Sequence, residues 1–214
     1  AFAERFRWIN RWFWKLPIRA TWCPESRLYR ISDAKSRASP HGHKDRIFVA
    51  RRERLLRYRR GVAARIDRLA RKYFIDRVPL EAGDAVVDCG ANVGEIGLYC
   101  QARAAVRYVP IEPSEREALA CDQNAFGSRS RTQRAALWNV SGERTFYESN
   151  VTADSSLIEP ASHAGETKVR VRTLDEVAYE AGLQSIRLLK IEGEGAEPEI
   201  LEGGTTTLER TDYC

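Results

Sequence analysis

Methionine is absent from this 214-residue chain, and its five cysteines include no C-x-x-C pair. The odd set (Cys23, Cys89, Cys100, Cys121, Cys214) argues against a disulfide framework or a zinc site, so no metal is expected. It favours a reducing compartment, and the expected location is the cytoplasm. No run approaches 18 consecutive apolar residues, so no transmembrane helix is expected. The first residues also lack the basic-then-apolar-then-small order of a secretory signal. The missing methionine, together with the stop at "TDYC" where a new strand begins, leads us to expect a fragment lacking its C-terminal strands.

Charge is plentiful but uneven. Residues 1–80 carry 22 Lys/Arg against 7 Asp/Glu, whereas residues 81–214 carry 13 against 23. Pro and Gly in "VPLEAGD" (78–84) mark the change. We therefore divide the chain into a basic, aromatic and helical extension with linker (1–60) and a main domain (61–214). "AFAERFRWINRWFWKLPIRATW" (1–22) mixes five Arg/Lys with four Trp and three Phe. It reads equally as an interfacial helix docking weakly on the inner membrane face or as a helix packing its aromatic side on protein. Residues 32–46 read as a linker. "RRERLLRYRR" (51–60) reads as a solvated helix face rather than a nucleic-acid site, because no recognised DNA- or RNA-binding motif accompanies it. In 61–78, Val62, Ile66, Leu69 and Tyr73 recur at helical spacing, with the arginines mostly on the other face.

From residue 85 strands and helices alternate. Strands are expected at 85–89, 106–112, 132–137, 143–149, 168–173 and 186–192, and helices at 94–103, 114–126, 174–181 and 196–203. This is the pattern of an α/β fold with a mostly parallel, doubly wound sheet.

The first of these strands runs into "DCGANVG" (88–94). In open α/β sheets, ligands collect at such strand ends. The dinucleotide fingerprint would place a glycine where Asn92 stands. Asn tolerates left-handed backbone angles but keeps its Cβ, which impairs close pyrophosphate contact. No Gly-Lys-Ser/Thr follows, so a Walker loop fails too. What remains is D-x-G-x-N-x-G, a variant of the acidic glycine loop of S-adenosylmethionine (AdoMet) enzymes. A carboxylate can rest on the N–H groups of a helix start, and Asp88 could accept from an ammonium. The next strand ends at Glu112, placed to accept from both ribose hydroxyls. Expected cofactor contacts are Asp88, Gly90, Ala91, Asn92, Gly94, Glu112, Pro113 and Leu137. Trp138 could stack on adenine or a sugar, or simply anchor a loop.

Six segments, "VVDCGANVGEIGLY", "VPIEPSE", "AALWNVSGERTFY", "SSL", "VRVRTLDEV" and "LLKIEGEGAEPEILEGG", together resemble the FkbM-type AdoMet-dependent methyltransferase family. The resemblance covers residues 80–210. It implies a Rossmann-like class I methyltransferase fold, AdoMet as cofactor, and methyl transfer to a hydroxyl of a sugar, glycan or polyketide-like molecule. It also implies a final antiparallel hairpin, which this chain lacks. One departure stands out. The family usually shows K-I-D-x-E-G-x-E, whereas Glu192 occupies the first acidic place here, one methylene longer.

A hydroxyl acceptor needs somewhere to send its proton. Lys190, Glu192 and Glu194 alternate at a strand terminus and can share a face. Glu194 is the first candidate for base or substrate anchor and Glu192 the second, although Glu194 and Glu197 could instead complement the following helix. Asp154, Ser155 and Ser156 lie in a polar loop suited to sugar hydroxyls, and with Lys190 they form the expected substrate set. Two other readings remain: a nucleic-acid methyltransferase, for which the amino- and C5-methylation motifs are missing, and a non-catalytic AdoMet-fold module docking through its basic N-terminus.

Overall fold

The computed structural model describes residues 17–34, 45–149 and 155–214. Three antiparallel strands come first: β1 (Ile18–Cys23), β2 (Leu28–Asp33) and β3 (Arg46–Val49), in the order β1-β2-β3. The helical extension expected from the sequence is corrected where it is described, at residues 18–23, 28–33 and 46–49, which are strands. Residues 1–16 lie outside the described part. The reason is legible afterwards: "IRATWC" opens with alternation, Ile18 and Ala20 buried and Arg19 and Thr21 exposed, and both strands carry β-branched and aromatic residues, with Leu28 and Ile31 of "LYRISD" also buried. Of the expected linker, residues 35–44 lie outside the described part and Ser32–Asp33 complete β2.

A 3-10 helix (Arg52–Tyr58) leads to α1 (Val62–Lys72). Asp33 joins the small sheet to α1, because its Oδ1 accepts the otherwise orphaned N–H of Val62 at 2.8 Å. Asn124 does the same for β3, accepting from Phe48 N at 2.8 Å and donating to Phe48 O at 2.9 Å. Ile18, Leu28, Ile31, Ile47, Leu55 and Tyr58 thus enter one apolar cluster with Ile66, Val86, Tyr99 and Tyr108.

The main sheet is all parallel, β10-β9-β4-β5, built from β4 (Ala85–Cys89), β5 (Arg107–Ile111), β9 (Ile186–Ile191) and β10 (Thr211–Tyr213). Every residue of β4 is buried, which suits a central strand covered on both faces. Helices α2 (Glu95–Gln101) and α3 (Glu115–Phe126) follow β4 and β5. The chain leaves β4 toward β5 on one side and reaches β9 on the other, so the order reverses at β4, where ligand crevices form. Gly97 lets α2 lie on the sheet, since a Cβ there would overlap the Tyr108 ring.

A second sheet, β6-β8-β7, contains β6 (Ala136–Leu137), β7 (Gly142–Glu148) and β8 (Gly165–Arg172). β6 is far shorter than the strand expected over 132–137. Buried Asp122 accepts the N–H groups of Arg131 (2.9 Å) and Thr132 (2.8 Å), taking them from any ladder, and only a bridge from Gln133 to Ile111 remains. Helices α4 (Leu174–Glu180), α5 (Glu197–Glu202) and α6 (Thr205–Leu208) complete the described fold. No helix of the described residues is long and apolar enough to cross a membrane.

Candidate active site

The carboxyl ends of β4, β5 and β9 open into one cavity of about 520 Å³, a size suited to a small molecule. Asp88, Gly90, Ala91 and Asn92 enter its wall from the loop after β4, and Glu112 and Pro113 from the end of β5. Leu137 comes from β6, and Lys190, Glu192 and Glu194 from β9 and its exit. Ser155 lines it too, while Asp154 lies outside the described residues.

Sheet register explains the innermost group. Asp88 on β4 is paired with Lys190 on β9, so their side chains rise together from the same face. The Lys190 ammonium lies 3.1 Å from Asp88 Oδ1 and donates to the carbonyls of Cys89 and Gly90, each at 2.9 Å. Tyr108, two residues before the Asp88 partner on β5, donates its hydroxyl to Asp88 Oδ2 at 2.7 Å. Asp88 is fully buried and held from both sides, so it fixes the floor of the loop. Burial alone would lower the Lys190 pKa, but Asp88 and Glu192 outweigh it and raise it.

The loop itself needs its glycines. Gly90 has φ +71°, and a Cβ there would overlap the Glu192 carbonyl oxygen. Asn92 takes the left-handed conformation at φ +51°, and its buried Oδ1 has no hydrogen-bond partner among the described residues. Gly94 does not line the cavity. Its conformation at φ +79° starts α2, and a Cβ would lie 2.9 Å from Cys121 Sγ, so its role is close packing of α2 on α3.

Glu112, one residue past β5, is the loop's counterpart. Its Oε2 accepts from Asn92 N–H at 2.8 Å and its Oε1 from Ser114 N–H at 2.9 Å. Burial pushes its pKa up to about 7; the two N–H donors oppose the rise and neighbouring Glu117 adds to it. At the mouth, Glu192 accepts from the Tyr73 hydroxyl, and the ammonium groups of Lys72 and Lys190 each lie 3.4 Å from its oxygens. Burial would raise its pKa, but Lys190, Tyr73 and Lys72 together lower it, so it is ionised at neutral pH. Glu194 is exposed, with φ +52°, and its carbonyl accepts from Ser156 Oγ at 2.8 Å.

Besides Gly94, two expected contacts are placed elsewhere. Trp138 stands one residue past β6 outside the cavity wall, packed in the second apolar cluster with Arg144 4.2 Å over its ring. Ser156 is also outside the wall, its hydroxyl tying the 155–158 loop to Glu194 and accepting from Ile158 N–H at 2.8 Å. Conversely, sequence reasoning missed a basic wall from residues 51–72. Arg51, Arg54, Arg57, Arg65, Arg68 and Lys72 all line the cavity. The signal was the recurrence of Arg65, Arg68 and Lys72 at three- and four-residue steps, a stripe on one helix face. Tyr73, read as a core residue, caps that helix and also lines the cavity, donating its hydroxyl to Glu192.

An all-parallel sheet with a glycine loop on one strand end, an acid after the next and a shared cavity between them is an α/β arrangement of the kind that collects ligands at its strand ends. The model of the methyltransferase FkbM domain matches residues 88–214, and the chain belongs to that methyltransferase family. It is 26% identical over 188 residues to the 2-O-methyltransferase NoeI of Sinorhizobium fredii, covering 79% of this chain and 77% of that protein. It is also 27% identical over 172 residues to the AMB antimetabolite synthetase AmbE of Pseudomonas aeruginosa, covering 61% of this chain and 8% of that protein. No solved structure matches the chain.

Proposed function

We propose that this protein is an AdoMet-dependent O-methyltransferase acting on a hydroxyl of a sugar, glycan or polyketide-like small molecule. The observation that carries this reading is the pairing of the Asn92 loop and Glu112 across one cavity, with the Glu192 carboxylate at its mouth. The residues present fit the cofactor. Asn92 Oδ1 is a buried acceptor without a partner among the described residues, Glu112 offers a carboxylate for ribose hydroxyls, and Pro113, Ala136 and Leu137 give an apolar lining for adenine. When bound, AdoMet supplies an electrophilic methyl group on a sulfonium centre.

The remaining chemistry belongs to this chain. Glu192 is the base we favour, because Tyr73, Lys190 and Lys72 fix its carboxylate, while Glu194 stands exposed beside it as a substrate anchor. Its lowered pKa makes it a modest base, adequate for a proton that becomes acidic only as the oxygen is alkylated. The longer Glu at this place is thus accommodated by three partners, which weighs against the non-catalytic reading. A relative named a 2-O-methyltransferase supports oxygen as the accepting atom. We place the enzyme in the cytoplasm and propose weak membrane-surface association through its basic, aromatic N-terminal sequence.

Isothermal titration tests the cofactor: S-adenosylhomocysteine should bind, and silence with both it and AdoMet overturns the reading. Tritiated-methyl transfer into a bacterial extract should label the glycan or small-molecule fraction, and label confined to RNA rejects the acceptor. Glu192→Gln should lower kcat about 100-fold while leaving S-adenosylhomocysteine affinity within about threefold. An unchanged kcat would remove Glu192 from the chemistry.

A further inference from the structure

The cavity wall contributed by residues 51–72 holds more positive charge than its acids neutralise. Arg51 is paired with Glu117 at 2.7 Å and Arg65 with Glu95 at 2.9 Å. The same Glu95 oxygen also accepts from Tyr58 at 2.7 Å, so its near side is already occupied. Arg54, in the 3-10 helix, is different. It is 8% exposed, yet its Nε and Nη1 are buried with no hydrogen-bond partner among the described residues. Two idle donors on a buried cation are costly, and a planar guanidinium is best satisfied by a two-pronged oxyanion. Arg57 and Arg68 line the same cavity from exposed positions and form no ion pair among the described residues.

We propose that this wall is an anion subsite for the methyl acceptor: a phosphate, sulfate or carboxylate carried by the acceptor docks on Arg54 between Arg57 and Arg68. The substrate is then an anionic sugar or small molecule rather than a neutral one. The proposal rests on the reading of the cavity as an AdoMet site. The cofactor's own carboxylate is a poor match for the wall. It is one anion facing three cations, on a molecule whose ammonium and sulfonium leave it net positive. An anionic acceptor complements both the arginines and the sulfonium.

The test uses the full chain and inorganic phosphate as probe, read as the rise in Tm over sodium chloride at matched ionic strength. Phosphate should raise Tm in protein saturated with S-adenosylhomocysteine. Arg54→Gln should need about tenfold more phosphate for the same effect and bind S-adenosylhomocysteine within about threefold of wild type. Failure of S-adenosylhomocysteine to bind wild-type protein would sink the cofactor reading, a result separate from the phosphate arm. Three outcomes overturn the anion subsite. Phosphate has no specific effect; its effect is the same in Arg54→Gln; or S-adenosylhomocysteine abolishes it and Arg54→Gln weakens S-adenosylhomocysteine but not 5′-methylthioadenosine, which assigns Arg54 to the cofactor carboxylate. If Arg54→Gln does not fold, the exposed pair Arg57→Gln/Arg68→Gln carries the test, with an expected loss of about threefold in phosphate affinity. An unchanged affinity there rejects the proposal.

Discussion

Glu112→Gln is expected to weaken S-adenosylhomocysteine binding by about 10- to 100-fold, the loss of one or two charge-assisted hydrogen bonds. The wild-type carboxylate already accepts from Asn92 N–H and Ser114 N–H, leaving its other lone pairs for ribose hydroxyls. A glutamine amide has one oxygen and must turn its NH2 toward one of those N–H groups, so the loop and the ribose contact suffer together. 5′-Methylthioadenosine keeps the ribose and lacks the amino-acid end, so it should lose as much affinity as S-adenosylhomocysteine. Equal affinity of mutant and wild type for both ligands would remove Glu112 from the site.

The same residue predicts a pH dependence. With its pKa pushed up to about 7 by burial, Glu112 is largely protonated in mildly acid solution and has lost its charge-assisted acceptor. Nucleoside affinity should therefore fall about tenfold per unit below about pH 7 and level off above it, and the slope should vanish in Glu112→Gln. Stability of the ligand-free protein runs the other way. A carboxyl whose folded pKa lies above its ordinary 4.5 contributes stability fully below that value, and the contribution is lost as pH rises through about 7. Ligand binding and bare stability should thus respond to pH with opposite signs across one window.

Much of this site was legible because it sits where a parallel sheet announces itself. "AVVDC", "RYVPI" and "IRLLKI" are short apolar runs, and the acids that end or follow them fall at strand tips by construction. Gly90 and Asn92 follow from the same logic, since only a sharp turn makes left-handed conformations useful there. What the sequence hid depends on contacts across long separations. Arg54 is a basic residue in a basic run until β1–β3 and α1 fold it against Glu95, and the run gives no sign of which arginine will be buried. Trp138 sits at a strand end, but position along a strand does not tell which side of a two-residue strand its ring will take. The strand expected over 132–137 is shortened for a more local reason, because Asp122 on α3 captures the N–H groups of Arg131 and Thr132 at its start.

Lys190→Met should be the most destabilising single change at the site, costing about 3–5 kcal/mol in urea unfolding. Asp88 is wholly buried and Lys190 is 6% exposed, so removing the ammonium strands a carboxylate that water cannot reach. It also leaves the Cys89 and Gly90 carbonyls without their shared donor. If uncompensated charge is the main cost, removing both charges should be gentler than removing one. Asp88→Leu/Lys190→Met should then be more stable than Lys190→Met alone, with a coupling energy of roughly 2 kcal/mol or more from the double-mutant cycle. Additive single costs, or a Lys190→Met penalty under about 1 kcal/mol, would contradict this account. Function should not return with stability. The double variant still lacks the ammonium that fastens the Gly90 loop and restrains Glu192, so it should fold while binding S-adenosylhomocysteine about tenfold or more weakly. A folded double variant with wild-type affinity would show that the ion pair serves the sheet alone, and that the loop keeps its shape through Gly90, Asn92 and Glu112.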